Sequence, residues 1–234
     1  MRVASVLGAL AAVLAIAAFA LYTTAPGVAD AERRVAAILR RHGGQDGGLP
    51  LPRRLAIATI AAEDERFYRH GAVDPIAIAR ATRATITRSG DPGGSTITQQ
   101  LAKVLYIKHP GPASASVEAI VLAAKLEQRY SKQRILEMYL NAVYYGDERY
   151  GAAAASVAFF GVPPSRLTWG QAALLAGLPQ APSAYDPTRH YALARQRQHD
   201  VLGLLVDDGV LSARQAQRAY DELSGVGSSR RAHG

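Results

Sequence analysis

The sequence predicts a mainly α-helical domain behind an N-terminal transmembrane helix, and three observations support this. Apolar residues recur every three or four positions, as one face of a helix requires, in six segments of the chain. These segments are 53–69, 75–88, 96–106, 115–129, 132–143 and 170–178. Alternation of apolar and polar residues, which marks a half-buried strand, is scarce. The third observation is a long uncharged run at the N-terminus.

That run covers residues 3–22 and contains no charged side chain. A helix of roughly 20 residues spans about 30 Å, the thickness of one hydrocarbon core. A cleaved signal peptide is the alternative, but its apolar region is usually about 7–15 residues long. We therefore expect a single-pass membrane anchor. Its orientation stays open, because Arg2 favours an N-terminus inside the cell, whereas the arginines at 33, 34, 40 and 41 favour the reverse.

The chain divides into four predicted regions where its composition changes. Glycines and prolines between residues 43 and 52 separate a short helical stretch from the compact part of the chain. A segment rich in glycine, serine and arginine follows that compact part. The regions are a membrane anchor at 1–23, a linker with a short helix at 24–50, the domain at 51–223 and a disordered tail at 224–234.

Helix starts within these regions are marked by residues whose side chains can cap free backbone N–H groups. They are Asp30, Thr96, Ser131 and Ser212. Gln99 and Gln215 follow Thr96 and Ser212 by three residues, the spacing of a capping box. Residues 191–206 and the helix after Ser212 are expected to form a helical hairpin that ends the domain.

Composition and charge exclude several classes of protein. The 234 residues are 49% hydrophobic and 20% charged, which excludes a disordered or low-complexity chain. Cysteine is absent, so disulfide scaffolds, thiolate metal sites and cysteine nucleophiles are excluded. The net charge of +8 indicates an anionic partner: nucleic acid, a membrane surface or a phosphorylated substrate. The only lysines fall in one short stretch, at 103, 108, 125 and 132, and compact ammonium groups suit phosphate oxygens.

Glu63 is the first candidate catalytic residue. In the predicted helix its neighbours three and four residues away include Ile60 and Phe67, so that the face around it is largely apolar. A carboxylate on such a face is partly desolvated, and its pKa should rise toward the range that a general base needs. The alternative is that Glu63 and Asp64 are surface carboxylates in a salt bridge with Arg66.

A polar helix face is the second candidate site. It follows a glycine pair at 93 and 94 and consists of Thr96, Gln99, Gln100 and Lys103. Its hydroxyl, amides, helix N-terminus and cation suit sugar hydroxyls and a phosphate. The alternative is an ordinary amphipathic helix with a solvated side. The spacing of a nucleotide-binding Walker loop is absent. A further polar pair, Glu137 and Asn141, lies four residues apart on one helix, and we expect it to tie helices together by a hydrogen bond.

Five segments together resemble the signature segments of the bacterial peptidoglycan glycosyltransferases, the glycosyltransferase 51 family. The first three read EDxxFxxHGxxD at 63–74, GSTITQQLxK at 94–103 and RYSKxxILExYLN at 129–141. Two later ones lie at 150–161 and 172–187. The resemblance covers about residues 50–190, and the segments occur in the order that they have in the family. Because Ser-x-x-Lys, the motif of a penicillin-binding transpeptidase, is absent, the sequence is similar to the monofunctional transglycosylase type.

The resemblance implies a lysozyme-like glycosyltransferase domain that is extracytoplasmic and held at the bacterial plasma membrane. It implies polymerisation of lipid II into the glycan strands of the cell wall. Glu63 matches the family's general base, which takes the proton from the 4-hydroxyl of the acceptor sugar. That hydroxyl attacks the anomeric carbon of the growing strand, and undecaprenyl pyrophosphate leaves with inversion. The matching substrate-binding residues are Asp64, Phe67, His70, Ser95, Thr96, Gln100 and Lys103.

Partners and cofactors follow from the same resemblance. The expected partners are lipid II, the growing glycan strand, the membrane and other cell-wall synthesis proteins, with no nucleic acid. The candidate cofactor is a divalent cation, Mg²⁺ or Mn²⁺, although the sequence shows no dedicated cluster of ligands.

Glu118 is the second predicted catalytic residue, and it departs from the family pattern. The family's second glutamate usually follows an arginine–lysine pair, whereas Ala115 and Ser116 stand here. Glu118 also lies nine residues before Glu127, one more than the usual spacing, and one residue turns a helix by about 100°. Val104 stands where an asparagine commonly follows the motif lysine.

Two alternative functions are carried forward. One is a lysozyme-like peptidoglycan-cleaving enzyme that uses a lone glutamate as its acid. The other is a degenerate, membrane-tethered scaffold of a wall-building complex. The GSTITQQ run argues against the first, and the altered surroundings of Glu118 keep the second open.

Overall fold

The computed structural model describes residues 19–43, 52–79, 94–107 and 114–223. Nine α-helices lie wholly within these ranges. They are α1 (Ala31–Arg41), α2 (Arg53–Glu63), α3 (Ile97–Tyr106), α4 (Ser114–Arg129), α5 (Lys132–Ala142), α6 (Ala152–Phe160), α7 (Trp169–Gly177), α8 (Tyr191–Asp207) and α9 (Ala213–Glu222). Residues 19–24 and 75–79 are also helical, and short 3₁₀ turns cover Phe67–Arg69 and Pro164–Arg166. Within these ranges the only β-pairing is one bridge between Tyr144 and Tyr150, so the mainly α prediction is confirmed.

The helix starts agree with the predicted caps at three of four positions. The Thr96 hydroxyl accepts the N–H of Gln99, and Ser131 and Ser212 cap α5 and α9 in the same way. The capping box of Ser212 is complete, whereas the Gln99 side chain donates to the carbonyl of Ala72 instead of closing its own box. At the fourth position, the prediction that Asp30 caps α1 through its side chain is wrong.

The Asp30 carboxylate has other partners that outcompete the cap. Its two oxygens accept hydrogen bonds from Nε of Arg34 at 2.8 Å and from the hydroxyl of Tyr106 at 2.9 Å. The first of these donors is charged, and hydrogen bonds with an ionised donor are stronger than those with a backbone N–H. The carboxylate therefore ties α1 to α3 rather than to its own backbone.

The predicted helix at 53–69 is too long, because α2 ends at Glu63. Asp64 follows with an extended φ of −164°, and its carboxylate turns away to accept the backbone N–H of Ile97 at the start of α3. This long-range bond outweighs the local helical pattern, which continues through Phe67. Conversely, α6 was missed, because its run of alanines and phenylalanines has no polar face and therefore no helical period.

The helices pack in two groups that share one core. In the first group α7 packs against α2 and α8, and α9 covers α7 and α8. In the second group α3 packs against α4 and α5, and α1 packs against α5. Helix α7 is buried along nearly its whole length, since Gly170 and the residues from Ala172 to Gly177 are all buried. The C-terminal end of α2 meets the second group, because Glu63 and Asp64 bond to Gln100 and Ile97 of α3.

One predicted polar contact differs in detail. Asn141 donates to the backbone carbonyl of Glu137 at 2.8 Å rather than to its carboxylate. The Glu137 carboxylate accepts hydrogen bonds from Arg134 at 2.9 Å and from Gln133 at 3.2 Å instead. The charged Arg134 side chain, one turn earlier, binds the Glu137 carboxylate more strongly than the Asn141 amide would. The contact between Glu137 and Asn141 therefore stays within α5 and does not join two helices.

The N-terminal stretch is described from residue 19 onward. Among the described residues, no helix is both long and apolar enough to cross a bilayer. The predicted anchor lies mostly at residues 1–18, and the predicted tail is at 224–234; both lie outside the described residues. The described end of the N-terminal stretch contacts α4, where the Tyr22 hydroxyl donates to Gln128 at 2.7 Å.

Candidate active site

A cleft of about 690 Å³ lies between α3 and α8, at the point where α2 ends. Six of the nine predicted site residues line it: Glu63, Asp64, Ser95, Thr96, Gln100 and Lys103. They come from the end of α2 and from the start and first turns of α3. The fold therefore brings together two sequence segments that are about 30 residues apart. Phe67, His70 and Glu118 lie elsewhere.

Glu63 is the last residue of α2, and one of its oxygens is bound inside the cleft. Its Oε2 accepts a hydrogen bond from Nε2 of Gln100 at 2.6 Å. The carbonyl oxygen of the same amide accepts the hydroxyl of Tyr139, a buried residue of α5, at 2.9 Å. Three helices thus meet at this carboxylate. Burial, together with the charge of Glu63, raises the pKa of both Tyr139 and Tyr145.

Asp64 and His70 form a buried pair beside Glu63. Oδ1 of Asp64 lies 2.6 Å from Nε2 of His70, and the two side chains are 5% and 3% exposed. The other ring nitrogen of His70 lies 2.6 Å from the carbonyl of Gly71, which can only accept, so Nδ1 carries a hydrogen. Burial raises the pKa of Asp64, although the hydrogen bonds that it makes with His70 and with the N–H of Ile97 act against this. The pair holds the chain from 64 to 71 against the start of α3.

Phe67 is fully buried and does not line the cleft. Its ring lies beneath the ammonium of Lys132, which is 4.4 Å from the ring centroid. That ammonium also bonds to Glu127 at 2.7 Å, and the hydroxyl of Thr98 donates to the same carboxylate oxygen. Phe67 and Lys132 therefore belong to the packing that supports the cleft. Glu127, at the centre of this network, was not predicted as a site residue, although the sequence comparison used it as the reference position for the spacing of Glu118.

Lys103 provides a cation on the α3 side of the cleft. Its ammonium donates to the hydroxyl of Ser95 at 3.3 Å, and within the described part of the chain it has no carboxylate partner. Arg66, which also lines the cleft, is paired with Asp74 at 3.6 Å. Thr96 is 2% exposed and is used mainly as the cap of α3. Lys103 thus remains available to an anionic ligand.

The α8 side of the cleft was missed by sequence reasoning. Arg197, Leu204, Asp207 and Asp208 line it. Burial and the nearby charge of Glu65 raise the pKa of Asp208. Arg197 packs across Gly177 of α7, where an added Cβ would lie 2.7 Å from Cγ of Arg197, so the glycine leaves room for this arginine. Recognising this contact required knowing that the two helices touch.

Asp64, His70 and Asp74 are the described residues that could hold a metal ion, since their ligand atoms lie within 4.8 Å of one another. However, Oδ1 of Asp64 and Nε2 of His70 are 2.6 Å apart, whereas neighbouring ligands of an octahedral Mg²⁺ lie about 3 Å apart. Oδ1 of Asp74 already accepts two backbone N–H groups. The three groups are arranged to bond to each other and to the backbone, and in this arrangement they do not fit a divalent cation.

Glu118 lies on an exposed face of α4 and is not among the residues that line the cleft. The next residue, Ala119, is fully buried. The one-residue shift in spacing therefore places the carboxylate about 100° away from the buried face of the helix. Its catalytic role stays a prediction.

The fold and the cleft define a class of protein: a helical domain with a carboxylate at the end of one helix, facing hydroxyl, amide and ammonium groups of another. Such a site suits proton removal from a sugar hydroxyl near an anionic group. Residues 49–206 match the transglycosylase family. The chain belongs to this family, and the match confirms the resemblance to the peptidoglycan glycosyltransferases that the five segments carry.

Similar proteins carry the name of penicillin-binding proteins. Penicillin-binding protein 1F of Bacillus subtilis (strain 168) is 39% identical over 75% of this chain and 25% of its own length. Penicillin-binding protein 1A of Neisseria flavescens is 41% identical over 73% of this chain and 22% of its own length. The chain thus spans a quarter or less of these relatives. A crystal structure of penicillin-binding protein 1A from Haemophilus influenzae shares 36% identity over 40% of this chain and 14% of that one, with a TM-score of 0.38.

Proposed function

We propose that this protein polymerises lipid II into peptidoglycan glycan strands and releases undecaprenyl pyrophosphate with inversion. The observation that carries the proposal is the position of Glu63. Its carboxylate lies in the cleft, is oriented by the amide of Gln100, and faces the side from which Lys103 and Ser95 project. Family membership supports the reaction class. The cleft supplies Glu63 as the base and Lys103 as the cation for the leaving group.

The proposed reaction needs one base and one electrostatic stabiliser. Glu63 takes the proton from the 4-hydroxyl of the acceptor sugar as its oxygen forms a bond to the anomeric carbon of the donor. The bond between that carbon and the phosphate oxygen breaks, and the electron pair leaves with the pyrophosphate. Lys103 stabilises the negative charge that develops on the leaving group. Attack on the face opposite to the leaving group inverts the anomeric centre.

The remaining predicted residues act by position or by contact with sugar. Ser95 and Gln100 offer a hydroxyl and an amide to the substrate at the start of α3, and Thr96 caps that helix. Asp64 and His70 hold the segment after Glu63 against that helix, so that the distance between the base and α3 stays constant. A divalent cation, Mg²⁺ or Mn²⁺, and a catalytic role for Glu118 remain predictions, and no step above depends on either.

The location of the reaction is part of the proposal. Lipid II carries its sugars on a membrane-embedded lipid, so the cleft must work at a bilayer surface. We place the domain on the outer face of the bacterial plasma membrane, held by the anchor predicted at residues 1–23. Growing glycan strands and other cell-wall synthesis proteins are the proposed partners.

The test is a polymerisation assay with lipid II on the full chain, comparing wild type with Glu63→Gln. The amide keeps the shape of the side chain but cannot accept the proton, so polymerisation should fall by about 10²–10⁴-fold while the melting temperature stays near that of wild type. Glu222→Gln, an exposed acid on α9, is the matched control and should polymerise normally. Glu118→Gln is measured beside them, and a comparable loss would establish Glu118 as a second catalytic carboxylate.

The same assay separates the two alternatives. Cleavage of finished peptidoglycan, without use of lipid II, would show a lytic enzyme. No turnover of either substrate by a folded wild-type protein would favour a scaffold. Normal polymerisation by Glu63→Gln would remove Glu63 from the mechanism and overturn the proposal.

A further inference from the structure

Resting on the proposed role of Glu63, we infer that Tyr139 is a positioning residue for this site. Its hydroxyl fixes which end of the Gln100 amide faces the catalytic carboxylate. The hydroxyl donates to Oε1 of Gln100 at 2.9 Å, and Nε2 of that amide donates to Oε2 of Glu63 at 2.6 Å. Tyr139 touches neither cleft nor substrate, since it does not line the cleft and is fully buried.

The Gln100 amide needs a second hydrogen-bond partner to fix its orientation, because an amide has two ends of nearly the same shape. One end is a hydrogen-bond donor and the other an acceptor, and a half-turn about the last side-chain bond exchanges them. With the exchanged orientation, the carbonyl oxygen of Gln100 would face the carboxylate of Glu63, and two acceptors would meet. A donor on the far side of the amide prevents the exchange, because it holds the carbonyl oxygen in place.

Tyr139 is suited to be that donor. Burial and the nearby charge of Glu63 raise its pKa, so the hydroxyl keeps its proton across the range in which the enzyme works. The residue lies on α5, which packs against α3, so its distance from Gln100 is set by two packed helices. Removing the hydroxyl would leave a partly buried carbonyl oxygen without its donor, and such groups are costly. The amide would then turn toward another donor, and its hydrogen bond to Oε2 of Glu63 would be lost.

The chain contains a matched control for this inference. Tyr145 is fully buried like Tyr139, and burial and the charge of Glu63 raise its pKa in the same way. Its hydroxyl, however, has no hydrogen-bond partner among the described residues. Tyr139→Phe and Tyr145→Phe therefore remove the same atom from equally buried rings near the same charge. Only the first substitution breaks the connection to Gln100.

The experiment measures lipid II polymerisation by both variants as a function of pH, with thermal unfolding alongside. For Tyr139→Phe we expect kcat to fall by about tenfold, the size of one lost hydrogen bond, with a smaller change in KM. The acid limb of its pH–rate profile should move to higher pH, because a carboxylate that has lost a donor is protonated more easily. Tyr145→Phe should match wild type in kcat and in the position of that limb.

A double-mutant cycle with Gln100→Met gives a second test, because Met fills a similar space without an amide. Adding Tyr139→Phe to Gln100→Met should cost no further activity, whereas it should cost about tenfold in the wild-type background. The inference is overturned if Tyr139→Phe equals Tyr145→Phe in kcat and pH profile, or if the two losses simply multiply. Failure of the proposed function is seen separately, as retained activity in Glu63→Gln.

Discussion

Two aspartates that lie close together differ in how the folded protein treats their charge. Burial dominates at Asp64, whose pKa is raised even though His70 and the N–H of Ile97 bond to it. Burial also acts on Asp74, but there the N–H groups of Ala77 and Ile76 and the charge of Arg66 outweigh it, and the pKa is lowered. Their contributions to stability therefore depend on pH in opposite directions.

The lowered pKa of Asp74 leads to a prediction about acid stability. Because the pKa of Asp74 in the folded protein lies below its ordinary value of 3.8, Asp74 stabilises the fold above that pH, and the contribution is lost as the pH falls through the folded pKa. Asp74→Asn keeps an acceptor for the two N–H groups but removes the charge. We expect it to be less stable than wild type by about 1 kcal/mol near neutral pH, with the difference closing below pH 3.8.

Urea unfolding of both proteins near neutral pH and near pH 3 would measure this difference. Asp64→Asn provides the comparison of opposite sign, since a raised pKa stabilises the fold at low pH and less so as the pH rises through the folded value. A difference between wild type and Asp74→Asn that stays constant over this range would show that the charge of Asp74 is not coupled to folding.

At the scale of whole helices, α7 is the element on which the cleft depends, because it contacts both α2 and α8. Its close packing requires small residues. A Cβ at Gly170 would overlap the backbone carbonyl of Ala219 in α9, and a backbone atom cannot move aside as the end of a side chain can. Gly203, in the middle of α8, has nothing within 4 Å of such a Cβ.

These two glycines predict opposite effects of the same substitution. Gly170→Ala should destabilise the protein by roughly 2 kcal/mol, in the range found for overpacked sites, because α9 must shift. Gly203→Ala should stabilise it by about 0.5–1 kcal/mol, because alanine favours a helix interior and meets open space. Thermal and urea unfolding would compare the pair. Equal effects of the two substitutions would show that α9 does not pack closely on α7 in solution.

The same scale shows why local patterns predict helices better than their ends. Helix α2 was expected to run to residue 69 and ends at Glu63, because the Asp64 carboxylate bonds to a residue 33 positions away. Glu63 is therefore a helix-terminal residue facing a cleft rather than a residue within a helix. Of the predicted helix at 75–88, only 75–79 falls within the described residues, where it is helical.

For the whole molecule, the net charge of +8 and the exposed apolar side chains lead to a prediction about membranes. Ile76 and Ile78 are 53% and 43% exposed in the short helix after Asp74. The sequence adds Arg80, Arg83, Ile86 and Arg88, which lie outside the described residues. Apolar groups beside arginines suit the interface of an anionic bilayer. We expect a protein without residues 1–24 to bind anionic vesicles, and less so at high salt.

Co-sedimentation with anionic and with neutral vesicles would measure this binding. Replacing Ile76, Ile78 and Ile86 by serine should weaken it, while serine at Val157, an exposed valine on α6, serves as the control for a general loss of apolar surface. A truncated protein that stays in the supernatant with anionic vesicles at low salt would contradict the prediction.

Sequence alone was sufficient for the helical class, for most helix positions, for three of four caps and for the family. It also selected Glu63 and the face that contains Gln100 and Lys103. These properties are local, because they depend on residue spacing along one helix, on caps within four residues, or on short sequence motifs. Arg197 on the α8 side of the cleft and the buried position of Phe67 depend on contacts between helices, and the local patterns indicated neither of them.

The tertiary structure decided how these local parts meet. Asp64 ends α2 because of a backbone N–H on α3, and the Gln100 amide bonds to Glu63 on α2 at one end and to Tyr139 on α5 at the other. Arg197 enters the cleft because Gly177 on another helix leaves room for it. Each of these contacts joins residues that are far apart in the chain, and the free energy that favours them comes from packing the helices together. A periodic pattern records which face of a helix is buried, but not which partner lies against it.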